Sequence, residues 1–320
     1  LNTRTLKKAV ITCPGRITHE ALCFLKEKFE LAEACDLPEE ELASAVHDAA
    51  LLVMGGDEKI TQKVHRANPG LRKIFLGVDP VFAFDPEVME HDRSRNLLFL
   101  AEGGIAAVAS TTVEEMTDPV LLKSRLAKSF LPIPESNLAE GLRYQRVSVI
   151  GAGRIGKSVM EKLAGRCGEI AYYDPKGRSG GNEPPGLRAV KELAPCFERD
   201  IVTVHLALVP GQTENMIGYA ELSRLRPNGL LINNARSQLI EPAGLLRFLR
   251  ERTDALYVCD VFYVEGGELR DTIESGAGLF RDIFSRPNFL YTRHLAAMRP
   301  ETYEEYGRNM IRIIKEKILQ

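Results

Sequence analysis

The sequence predicts an α/β chain of two domains, each built on a parallel sheet, and three observations predict it. Short apolar runs alternate with segments of helical period along nearly the whole of its 320 residues. A glycine turn, Gly151, Gly153 and Gly156 in G-x-G-x-x-G spacing, stands between one such run and one such segment. The length also suits two domains of ordinary size.

From the start, Lys8 to Thr12 reads as a strand, and Thr18 as the cap of a helix carrying Leu22, Leu25 and Phe29. Pro38 to Val46 is a second helix, with Glu39, Glu40 and Glu41 at the end where the dipole favours acids. Ala50 to Met54 is a strand, Ile60 to Ala67 a helix and Leu71 to Leu76 a strand, followed by the loop Gly77-Val-Asp-Pro80. Ala101 to Thr112, with Gly103-Gly104, reads as a crossover or hinge before a helical stretch, Val113 to Phe130, closed by Pro132 and Pro134. Val147 to Ile150 is a buried strand, and Ile170 to Tyr173 the next, ending in Asp174. A Gly/Pro-rich loop then leads to a short helix, Leu187 to Leu193, and to the strand Asp200 to Val204. Glu221 to Leu225 is helical, Leu230 to Ile232 a strand, and Pro242 opens a helix at a position that suits its fixed φ. Strands at Ala255 to Val258 and Phe289 to Tyr291 precede a last helix, Glu301 to Leu319.

Each glycine of the turn has a task in a strand-turn-helix unit. Gly151 permits the tight turn, Gly153 admits a pyrophosphate to the backbone, and Gly156 lets the helix pack on the strand. Phosphates then meet free N–H groups at a helix N-terminus. Asp174 follows Gly151 by 23 residues, close to the spacing of about 20 expected of a ribose-hydroxyl acceptor, and an acid there favours NAD over NADP. Lys176 and Arg178 just beyond keep the phosphorylated cofactor in view, and a glycine turn that binds no nucleotide is the bland alternative.

Composition closes other routes. The 42 basic residues against 44 acidic ones form no basic field for nucleic acid. No apolar run approaches about 20 residues, so no membrane span is expected. Six scattered cysteines without a C-x-x-C pair argue against a metal site or disulfide framework and for buried reduced thiols in a cytoplasm. The N-terminus does not read as a signal peptide, and Leu1 leaves the true start open.

Four polar residues stand at or just past predicted strand ends: His205, Arg236, Asp260 and His294. In an open parallel sheet that edge is the ligand crevice. Glu265 lies in the loop after Asp260. Arginine can grip a carboxylate at two points. Histidine can supply a proton to an oxygen as hydride reaches the neighbouring carbon, and a glutamate beside the imidazole orients it and favours its protonated form.

Here the chain resembles the D-isomer-specific 2-hydroxyacid dehydrogenase family, most clearly from residue 146 to 298. Ile201-Val-Thr-Val-His-Leu-Ala-Leu-Val-Pro210 is similar to its strand before the adenine-side loop, and Asn228-Gly-Leu-Leu-Ile-Asn-Asn-Ala-Arg236 to its strand ending in the substrate arginine. Asp260-Val-Phe-Tyr-Val-Glu265 matches D-V-F-x-x-E, His294-Leu-Ala-Ala resembles H-x-A-small, and Val113-Glu-Glu115 resembles V-A-E. The resemblance implies a doubly wound Rossmann domain, residues 113–298, inserted in a smaller flavodoxin-like substrate domain, residues 1–112 plus 299–320. The last helix then returns to the first domain, and the cleft between the domains closes on binding.

The resemblance also implies roles. Arg236 binds the substrate carboxylate and carbonyl, His294 is the acid/base and Glu265 its partner. NAD contacts fall to Gly151, Gly153, Arg154, Ile155, Gly156, Asp174, Pro175, His205, Leu206, Thr213, Ala235 and Asp260. Gly77 and Val78 line the substrate. The expected partner is a small 2-oxo or 2-hydroxy acid, and a homodimer is expected. The family's G-x-G-x-D stretch reads Phe75-Leu-Gly-Val-Asp-Pro80 here, Ala207 stands two residues after His205 where proline is usual, and Glu265 to His294 is about one helix longer than usual. A non-catalytic NAD(H)-binding regulator of the corepressor type is the rival reading. A formate or phosphite dehydrogenase is a nearer one, and the glutamate at 265 counts against the formate variant.

Overall fold

A computed structural model describes residues 6–55, 58–75, 88, 97–99, 105–117, 145–177, 186–264, 266–274, 278–294, 296 and 299–319. The chain divides into two compact units, residues 1–107 with 297–320 and residues 108–296.

In the first unit the described residues form a parallel sheet of order β2-β1-β3-β4-β5, the flavodoxin-like order. Its strands are β1 (Lys8–Ile11), β2 (Glu30–Glu33), β3 (Leu51–Met54), β4 (Arg72–Phe75) and β5 (Leu97–Phe99). Side chains alternate across it as the pleat requires. Ala9, Ile11, Leu51, Val53 and Ile74 face the helix His19–Lys28 and, from the C-terminal helix Pro300–Lys317, Tyr306, Met310 and Ile314. Val10, Leu52 and Met54 face Leu42, Val46 and Val64 on the other side. Thr18 caps the first helix, accepting from Ala21 N at 3.3 Å.

In the second unit the order is β12-β11-β10-β9-β6-β7-β8, with every pairing parallel. These strands are β6 (Arg146–Ile150), β7 (Glu169–Tyr173), β8 (Leu187–Ala189), β9 (Ile201–Val204), β10 (Leu230–Asn233), β11 (Leu256–Cys259) and β12 (Phe289–Tyr291). The order in which strands are added reverses between β6 and β9, so their carboxyl ends flank the topological switch point where such sheets take ligands. Val147, Val149, Ile232 and Val258 pack on Val159, Met160 and Leu163, and Ile150, Val202, Val204 and Leu231 pack on Leu245, Phe248 and Leu249.

Several expectations need correction. Leu187 to Leu193 is not a helix: Leu187–Ala189 adds as edge strand β8 beside β7, so ladder pairing overrides helix-forming residues. The stretch read as a hinge, Ala101 to Thr112, is largely helical, because the helix Ile105–Thr117 begins inside it. β2 and β5 are strands the sequence reading lacks. The long segment before His294 holds two helices, Gly266–Glu274 and Leu279–Phe284. None of the six cysteines is in a disulfide, but only Cys13, Cys196 and Cys259 are buried, while Cys23 and Cys35 are exposed. Among the described residues no helix is long and apolar enough to cross a membrane.

Candidate active site

The glycine turn is built by close approach. Gly151 follows β6 with φ +103°, and a Cβ there would lie 2.7 Å from the carbonyl carbon and oxygen of His205. A Cβ on Gly156 would sit 1.8 Å from the Gly151 carbonyl oxygen. Gly153 differs: it is the N-cap of the helix Arg154–Leu163, no side chain caps that helix, and nothing lies within 4 Å of where its Cβ would be. Two glycines therefore hold the turn against the sheet, and the third leaves open the space a pyrophosphate needs beside the first-turn N–H groups. Arg154 is exposed and Ile155 half-buried there. Asp174, just past β7, accepts from Ala152 N through Oδ2 and from Lys176 N through Oδ1, both at 2.9 Å, so its carboxylate lies against the glycine turn. Pro175 beside it is exposed. These residues fit a dinucleotide.

Across the switch point, His205 N donates to Ile150 O at 2.7 Å and ties the end of β9 to β6. The residue is 9% exposed, with its Nε2 2.9 Å from Thr203 Oγ1. Burial pushes its pKa down to about 3. His205 is thus a neutral ring at ordinary pH and no proton donor. Leu206 is buried beside it. Thr213 pins the following loop, its Oγ1 donating to Ala207 O at 2.8 Å and accepting from Val209 N at 2.7 Å.

Three further turns leave the adjacent strands β10, β11 and β12. The first is shaped by Asn233, fully buried: its Oδ1 accepts from Ala235 N and its Nδ2 donates to Arg236 O, each at 3.0 Å. Arg236 is half-buried, with Nη1 donating to Ala235 O at 2.8 Å. Asp260 N donates to Asn233 O at 3.1 Å, and His294 N donates to Asp260 O at 2.7 Å. The turns carrying Arg236, Asp260 and His294 are therefore stitched edge to edge by their backbones. His294 is half-buried and has φ +61°. Glu265, Gly77 and Val78 lie outside the described residues.

Residues with no role assigned from the sequence hold these turns. Asn234 Nδ2 donates to Thr112 Oγ1 and Glu115 Oε2, both at 2.9 Å, tying the arginine turn to the helix Ile105–Thr117. Ser237 Oγ and Cys259 Sγ both donate to Val261 O. Thr292 Oγ1 donates to Asp260 Oδ1. The asparagine pair after a strand is the one signal in the sequence that could have pointed here, since amide side chains hydrogen-bond local backbone in turns.

Residues 126–296 match the family model described as D-isomer specific 2-hydroxyacid dehydrogenase, NAD binding domain. The chain belongs to that family. NAD is the cofactor of this domain. Among curated relatives, a D-3-phosphoglycerate dehydrogenase of Methanocaldococcus jannaschii is 28% identical over 81% of this chain. The chain spans about half of that relative's length, 49%. A glyoxylate reductase of Pyrococcus furiosus is 23% identical over 90% of this chain and 86% of its own. An NAD+-bound 3-phosphoglycerate dehydrogenase of Entamoeba histolytica superposes with a TM-score of 0.70 at 20% identity, over 98% of this chain and 97% of its own, a likeness of fold alone.

Proposed function

We propose that this member of the 2-hydroxyacid dehydrogenase family is an NAD-dependent oxidoreductase that interconverts a small 2-oxo acid and a D-2-hydroxy acid. The observation that carries the reading is the shared edge of Arg236, Asp260 and His294, on three neighbouring strands of the sheet that carries the glycine turn. NAD(H) held at the glycine turn would supply or take up the hydride exchanged with the substrate's C2. Arg236 holds the carboxylate and polarises the 2-oxo oxygen. In reduction the His294 imidazole delivers a proton to that oxygen, so one hydride and one proton convert the ketone to the alcohol; oxidation returns both. Glu265 orients that imidazole, Asp260 faces the nicotinamide side, and Gly77 and Val78 border the substrate. Neutral His205 lines the cofactor side with Leu206, Thr213 and Ala235. The protein works as a cytoplasmic homodimer.

The test is oxidation of NADH and NADPH by the purified protein across a panel of 2-oxo acids, with cofactor binding measured in parallel. Turnover with NADH, and a D-configured product, is the expected result. Tight NADH binding without turnover on any 2-oxo acid would move the reading to a nucleotide-binding regulator.

A further inference from the structure

The backbone around His294 is held in an arrangement that L-residues seldom adopt. Arg293 and His294 both have φ +61°, two left-handed residues in succession, and neither is glycine. Such a conformation persists only where its surroundings over-determine it. Here the surroundings converge on one side chain. Asp260, 2% exposed, receives the Thr292 hydroxyl on Oδ1 before the strained pair, and the Ala296 N–H at 3.4 and 3.3 Å on Oδ1 and Oδ2 after it. Its own carbonyl takes the His294 N–H at 2.7 Å, and Thr292 N is fixed to Cys259 O at 2.9 Å. Asp260 thus grips both flanks of the histidine turn and its middle.

We propose that Thr292 is a positioning residue for His294, acting through the Asp260 side chain. The two amide contacts from Ala296 are long, so the Thr292 hydroxyl is the closest donor to this buried carboxyl group. Without it, among the described residues, the group keeps those long contacts alone, and the left-handed pair is held on its N-terminal side by the Thr292 N–Cys259 O backbone bond without the side-chain tie. The inference rests on the proposed role of His294 for its kinetic consequence and on the geometry alone for its structural one. An imidazole displaced by a fraction of an ångström no longer reaches the substrate oxygen in line, while cofactor binding at the glycine turn is untouched.

The test compares Thr292→Val, which keeps the shape and removes the hydroxyl, with Thr292→Ser, which keeps the hydroxyl. The valine protein is expected to lose about 10²-fold in kcat, well beyond any loss in its affinity for NADH. Its His294 and Ala296 amides should exchange hydrogen at least about tenfold faster in the cofactor-free protein. The serine protein should stay close to wild type in both. Thr292→Ala supplies a second hydroxyl-free variant if the valine protein does not fold. Wild-type kcat and exchange in Thr292→Val, or an equal loss in Thr292→Ser, would overturn the proposal. If the wild type turns over no 2-oxo acid, the catalytic reading of His294 falls separately, and amide exchange alone decides the clamp.

Discussion

His205→Gln tests the burial of the switch-point imidazole. The folded ring has its pKa lowered from 6.5 to about 3, and burial is the cause. The sign follows from linkage: the unfolded chain binds a proton below pH 6.5 that the folded chain refuses until about pH 3, so His205 weakens the fold progressively as pH falls through that window. At about pH 5 the gap amounts to roughly one and a half pK units, or about 2 kcal/mol. Glutamine cannot take up that proton and keeps a polar group beside Thr203. Urea unfolding of both proteins at about pH 8 and about pH 5 should show wild type losing about 2 kcal/mol more than the variant. Carboxylates common to both proteins cancel, among them Asp254, whose pKa the Arg252 guanidinium holds down at about 2. Parallel losses in the two proteins would refute a buried neutral imidazole and reopen His205 as a proton carrier.

The glycines should separate fold from ligand: Gly156→Ala drives a Cβ against the Gly151 carbonyl and should cost about 1–3 kcal/mol in thermal or urea unfolding. Gly153→Ala meets nothing within 4 Å, so it should leave unfolding nearly unchanged while weakening NADH binding in a fluorescence titration. Asn234→Leu removes the buried bonds to Thr112 and Glu115 and should lower stability by about 1–3 kcal/mol in urea unfolding. Thiol labelling of the folded protein should reach the exposed Cys23 and Cys35 first. Cys13 and Cys196 should stay protected, burial having pushed their thiols up to about 12 and about 11.

Much of the fold could be read locally, and the exceptions share one cause. The glycine turn declared itself because each residue's task depends on its near neighbours along the chain. β2 stayed hidden because Glu30-Leu-Ala-Glu33 has no β-branched residue and lies at a sheet edge, where pairing with β1 makes it a strand. Leu187 to Ala189 looked helical for the same reason in reverse. In the site, Arg236, Asp260 and His294 could be singled out because polar residues at the ends of apolar runs are conspicuous. The long-range bonds that tie their turns to other elements could not. Thr292 to Asp260 spans 32 residues, and Asn234 to Glu115 and Thr112 spans 119 and 122, pairings that only the folded sheet brings together.

The proposed two-point grip of Arg236 on the substrate carboxylate should be separable from NAD binding by the same domain. The most direct measurement is kcat/KM of Arg236→Ala with the best 2-oxo acid, alongside its NADH affinity. A loss of at least about 10²-fold in kcat/KM is expected, a charge-assisted two-point contact being removed, with NADH affinity close to wild type. Full turnover by Arg236→Ala would contradict it.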